Sequence, residues 1–159
     1  MPDNSKMLAF VATCTEPDKL KSLIRNAQER GATDIEDAAF RRLVSILPSE
    51  QPGTVAYDLW RTIYAFEHIL SQERNRTTLL SRTRQKITRV GETQTLVDWA
   101  LDQGETKGFT MLLERRMPEL TGEAIVLRHA DDFEPHVVNA ARARLVAHGV
   151  DVAALPRDI

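Results

Sequence analysis

The sequence predicts an all-α protein, a bundle of about six to eight helices, on three observations. Apolar residues recur at three- and four-residue intervals along most of the chain. Helix start and stop residues bound these runs, with Thr, Asp or early Pro before them and Gly or Pro after them. No stretch alternates apolar and polar residues over a useful strand length, and no internal repeat recurs at a fixed period.

The segment Met7 to Cys14 is apolar and ends on a cysteine, as in a bacterial lipoprotein signal. Thr13 replaces the small residue such signals want before the cysteine, and the preceding residues are not clearly basic. A turn or short helix laying Leu8, Phe10 and Val11 on the core is the reading adopted. Thr15, Glu16, Pro17 and Asp18 then supply a cap, an early proline and an acidic first turn. Leu20, Leu23, Ile24 and Ala27 follow at helical spacing until Gly31. Thr33-Asp34-Ile35-Glu36 has the form of a capping box, in which threonine and glutamate satisfy each other's exposed amides. Ile35, Ala39, Leu43, Ile46 and Leu47 form the stripe behind it, ended by Pro48. So short a link predicts that the two helices pair as an N-terminal hairpin.

A central helix starts at about Val55, with Leu59, Ile63, Phe66 and Leu70 facing inward and Trp60 and Tyr64 widening that face. Continued to Val90 it would run about 54 Å at 1.5 Å per residue. A compact chain of this length has a gyration radius of only about 15 Å. The apolar spacing also falters between Glu73 and Thr78, so a break is expected near Asn75 to Thr78; a continuous projecting helix paired in a dimer is the alternative. Several short helices complete the chain. One follows Thr95 and stops at Gly104. Thr106 opens the next, which ends before Pro118. Thr121 caps a third, and the last begins within Asp131 to Pro135 and stops at Gly149. The expected layout is an N-terminal segment over 1–14 packing on the core, one helical domain over 15–150 and a C-terminal tail over 151–159. Halves of 15–73 and 78–150 are the variant.

A hydrophobic fraction of 42% and a charged fraction of 28% are ordinary for a globular protein and argue against disorder along the chain. The single cysteine, Cys14, cannot form an internal disulfide, which fits a reducing compartment. No apolar run reaches the roughly 18 residues of a membrane span. Together these predict a cytoplasmic protein with no membrane association.

Catalytic motifs are missing: the chain has no GxxxxGK[ST], GxGxxG or GxSxG. His129, Asp131, Asp132, Glu134 and His136 are metal-competent side chains, but they lack the i, i+4 histidine spacing and straddle a helix start, where acids cap exposed amides. Glu114 near Arg115 and Glu123 near Arg128 read as surface ion pairs, and His148 as a last-turn cation. The sequence therefore implies no catalytic residue, metal or cofactor. A helix-turn-helix register over Leu96 to Lys107 places Gly104 at the turn. It puts Gln103, Glu105 and Thr110 where the pattern needs apolar residues, so a helical hairpin in the core is the simpler reading.

One segment stands apart. From Arg74 to Arg89 the chain carries six cations, Arg74, Arg76, Arg82, Arg84, Lys86 and Arg89, and no acid; the remainder holds 15 cations against 23 acids. Thr, Ser, Asn and Gln interleave the cations, and these side chains join arginine on phosphate oxygens. On a helix Arg82, Lys86 and Arg89 share one face. Two readings compete, a phosphate-binding surface and an ion-pair network with acids of neighbouring helices such as Asp98, Asp102 or Glu105. A solvated face is the third.

The functional expectation is a small non-enzymatic regulatory or accessory protein that binds an anionic partner, DNA or RNA backbone, through this segment. The alternatives are a self-associating helical adaptor that forms a homodimer or docks a protein partner, and a metal-dependent enzyme built on the His129 cluster.

Overall fold

The computed structural model describes residues 4–156, and among them it contains nine α-helices, three short 3-10 turns and no strand. Its contacts divide the chain into two units, residues 1–49 and 50–159. The division thus lies in the loop before Gly53, and the 73/78 position falls inside the second unit.

In the first unit α1 spans Ser5–Thr13, α2 Pro17–Arg30 and α3 Thr33–Ile46. The helices α2 and α3 form the expected hairpin, and α1 packs on α3. Gly31 adopts φ 67°, with its amide on the Gln28 carbonyl and the Ala32 amide on that of Ala27, a left-handed turn that glycine makes without steric cost. Leu20, Ile24, Ala27, Ala39, Phe40, Leu43 and Val44 are buried here, as are Val11 and Cys14. The Cys14 carbonyl accepts from Arg42 Nε at 2.8 Å, which ties the end of α1 to α3.

Three local expectations are corrected in this unit. Phe10 is 45% exposed and only Val11 of α1 is buried, because a helix turns Phe10 about 100° away from its neighbour. Glu16, not Thr15, precedes α2, and Pro17 takes its first position. No capping box forms at Thr33, since the Glu36 amide already reaches the Ala32 carbonyl. Asp34 instead receives the Asn4 amide at 3.0 and 3.2 Å and the Ile35 amide at 2.9 Å.

The second unit contains α4 (Val55–Arg74), α5 (Ser81–Val90), α6 (Glu92–Leu101), α7 (Lys107–Glu114), α8 (Gly122–Arg128) and α9 (Pro135–Ala147). Thr54, Thr106 and Thr121 each accept the amide three residues ahead, so hydroxyl caps open α4, α7 and α8. The helix α4 stops at Asn75, which is left-handed at φ 53°, with its own amide on Gln72 O and the Arg76 amide on Ser71 O. Asparagine is the common substitute for glycine in this turn. The break expected near Asn75 to Thr78 is therefore present, and the continuous helix to Val90 is not.

Leu59 and Ile63 of α4 join Ile87, Leu96, Ala100, Ile125, Val126, Phe133, Val137, Val138 and Ala141 in one core. The short α8 is buried along most of its length and packs against α4, α6 and α9. The helix α6 begins at Glu92, three residues before Thr95, so Thr95 lies inside it and returns its hydroxyl to the Gly91 carbonyl at 2.8 Å. A five-residue link separates α6 from α7, which packs on the 3-10 turn Pro118–Leu120. The C-terminal tail turns through Val152–Ala154, capped by Asp151. Residues 1–3 and 157–159, at the outer ends of the expected N-terminal segment and tail, lie outside the described residues. No described helix is long and apolar enough to cross a membrane.

Candidate functional site

The helix α5 is held by few apolar contacts. Ile87 is its single buried residue, and Leu80, just before it, packs on the same core. With so narrow an apolar stripe, most of the polar side chains between Arg74 and Arg89 must lie outward or find polar partners.

Two of the six cations find partners. Arg84 meets Glu67 of α4 in a two-pronged pair, Nε to Oε2 at 2.8 Å and Nη2 to Oε1 at 2.7 Å. Its guanidinium also lies over the rings of Trp60 and Tyr64, with centroids at 5.1 and 5.6 Å. The hydrogen bond to Glu67 holds its pKa above the ordinary arginine value. Glu67 is 5% exposed and accepts the Leu80 amide as well, at 2.8 Å, so one buried carboxylate secures both the loop and the helix that follows. Lys86 reaches Asp98 of α6 at 2.7 Å. Hydrogen bonds from Lys86 and then Gln94 hold the Asp98 carboxyl below its usual value.

Arg74, Arg76, Arg82 and Arg89 are different. All four are exposed, and none of their side chains has an ion pair or hydrogen bond among the described residues. Arg74 closes α4, Arg76 lies in the loop, and Arg82 and Arg89 stand seven residues apart on α5. That spacing is about 10 Å along the helix at 1.5 Å per residue. The six cations thus divide into two that fasten the surface and four that it presents.

The aromatic face that motivated the adaptor reading is partnered inside this unit. Trp60 donates to Glu92 at 3.2 Å and stacks at a tilt on Tyr64, while Trp99 lies against Phe66 with centroids 6.4 Å apart.

The histidine and acid cluster near His129 does not converge; the described residues hold no group of three or more His, Cys, Asp or Glu placed to share a metal. His129 turns to Asp58 of α4, with Nε2 2.6 Å from Oδ2. Asp58 is itself buried and also receives Arg61 at 3.2 Å and Arg128 at 3.0 Å. Burial lowers the pKa of Arg61, partly offset by Asp58. Arg128 thus belongs to Asp58, and the surface pair expected between Glu123 and Arg128 is absent. Glu123 is buried and pairs with Arg144 of α9 at 3.1 Å. Arg144 in turn donates to the carbonyls of Trp99 and Asp102 at the end of α6, where backbone acceptors lack helical partners. His148, expected in the last turn of α9, stands one residue past its end, with Nδ1 on the Arg144 carbonyl and Nε2 2.9 Å from Glu105.

Neither Glu67 nor Asp58 was found by sequence reasoning. The available signal was an acid set among the apolar residues of the central helix: Glu67 stands between Phe66 and His68, and Asp58 between Tyr57 and Leu59. Buried acids need cationic partners, and Arg84 and Arg128 were the surplus cations to look for.

Comparison with protein-family models, curated proteins and solved structures finds no match for this chain.

Proposed function

We propose that this chain is a small accessory protein that binds the phosphate backbone of DNA or RNA through Arg74, Arg76, Arg82 and Arg89. The observation that carries the reading is that these four guanidinium groups are exposed and without partners among the described residues, in a segment that contains no acid. Arg84 and Lys86, expected to share in binding, act by fixing the surface that presents the four. A guanidinium donates two parallel hydrogen bonds to phosphate and is weakly hydrated, so it exchanges water for phosphate at low cost. Base reading is not part of the proposal, because contacts to phosphate carry no sequence information.

The test is binding of a short duplex and of a single strand of mixed sequence, measured from about 50 to 200 mM salt. Four neutralised phosphates give a slope of log affinity against log salt of about −3.6 on duplex. Arg82→Glu with Arg89→Glu abolishes binding. A flat salt response, or unchanged affinity in that variant, rejects the proposal.

A further inference from the structure

A cleft in the second unit opens between the end of α4, the start of α5, α6 and the first turn of α7. Its volume is about 340 Å³, and Phe66, Leu70, Leu80, Trp99 and Met111 form its apolar wall. That volume lies within the range of small-molecule sites, roughly 300–1,000 Å³. Gly108 makes the wall close: a Cβ there would come within 2.4 Å of the Phe66 ring, so only glycine lets the first turn of α7 rest on that ring. Phe66 and Trp99 meet at a tilt of 58°, which leaves ring surface toward the cleft.

The polar lining is one-sided. Arg74 and Lys107 are the charged residues of the lining, both exposed, with Thr83 and Thr106 as the hydroxyls and no carboxylate. An apolar ligand without charge would make no use of the two cations at the rim, which would stay in water. A small inorganic anion would leave the apolar wall uncovered. A ligand that satisfies both has an apolar body and one anionic end.

We infer that this cleft binds an amphipathic monoanion, a medium-chain carboxylate whose hydrocarbon tail lies on Phe66, Leu70, Trp99 and Met111 while its head meets Arg74 and Lys107. The site shares Arg74 with the proposed phosphate surface but does not rest on it, since Lys107 and all of the apolar wall except Leu80 lie outside the arginine-rich segment. The tail's burial supplies the affinity, and charge-assisted hydrogen bonds to the head select carboxylate over alcohol.

Trp99 reports on the cleft directly. In a Trp60→Phe background its emission is titrated with decanoate, 1-decanol and acetate, and calorimetry on the unsubstituted chain repeats the comparison. Decanoate is expected to give a saturable change, decanol to bind about tenfold more weakly or worse, and acetate to give none. Lys107→Glu, at an exposed position, should weaken decanoate about tenfold with the helical circular dichroism unchanged. Thr83→Phe should fill the cleft and remove binding. No saturable change with decanoate, equal binding of decanol, or an unaltered Lys107→Glu variant would overturn the inference. Arg82→Glu with Arg89→Glu separates the two proposals: it removes duplex binding and leaves decanoate binding intact.

Discussion

Glu67 and Glu123 are both glutamates buried against an arginine, yet their surroundings differ. Glu67 receives the Leu80 amide and two donors of Arg84, so its negative charge is met on both oxygens. Glu123 has one arginine contact, and burial pushes its carboxyl above the usual glutamate value despite Arg144. The sign of the consequence follows from linkage. A carboxyl whose pKa is raised by folding favours the folded state while protonated and loses that advantage as pH rises from its unfolded value, near 4.5, through the raised folded value. Unfolding by urea at a series of pH values should therefore show Glu123→Gln gaining on the natural chain as pH climbs from 4 toward neutrality. A difference that is constant with pH would mean the glutamate is not destabilised by burial.

At the level of helices, Asn75 decides where α4 ends and where the exposed arginines stand. Its left-handed backbone costs asparagine little, whereas alanine in the same conformation costs roughly 1–2 kcal/mol. Asn75→Ala should lower the unfolding free energy by about 1 kcal/mol, and Asn75→Gly should leave it equal or slightly higher, both read by chemical denaturation. This helix end was legible in the sequence, because apolar spacing failed at the same place that a left-handed former stood. The hairpin of α2 and α3 was legible for similar reasons, since Pro17, Gly31 and Pro48 act locally. The start of α6 was not. Thr95 looks like a cap, but Gly91 had already separated the helices and Thr95 satisfied its hydroxyl inside one. Nor could spacing show that Arg84 belongs to Glu67, seventeen residues away. Pairing across helices depends on which faces meet, and no single helix contains that information. The candidate site was thus legible as a cluster of charge, while its division into fastening and presented residues required the packed helices.

For the molecule as a whole, the formal net charge of −2 conceals a basic segment within an acidic remainder. Long-range attraction to a polyanion is accordingly weak, and contact must come from the segment itself within a Debye length of about 8–10 Å. Reversing Arg82 and Arg89 to glutamate moves the net charge to −6. Surface substitutions of this kind usually change stability by no more than about 0.5 kcal/mol. The melting temperature of that double variant should stay within about 2 °C of the natural chain. A fall of more than about 5 °C would show that these arginines hold the fold together.

Cys14 has a practical consequence of its own. It is the sole thiol of the chain, 6% exposed, at the junction where Arg42 anchors the end of α1. A disulfide reagent can reach it only when that junction loosens, so the labelling rate acts as a clock for opening in residues 1–49. The arginine-rich segment and the cleft both belong to the other unit, residues 50–159, so the label is attached to none of the residues of either binding surface.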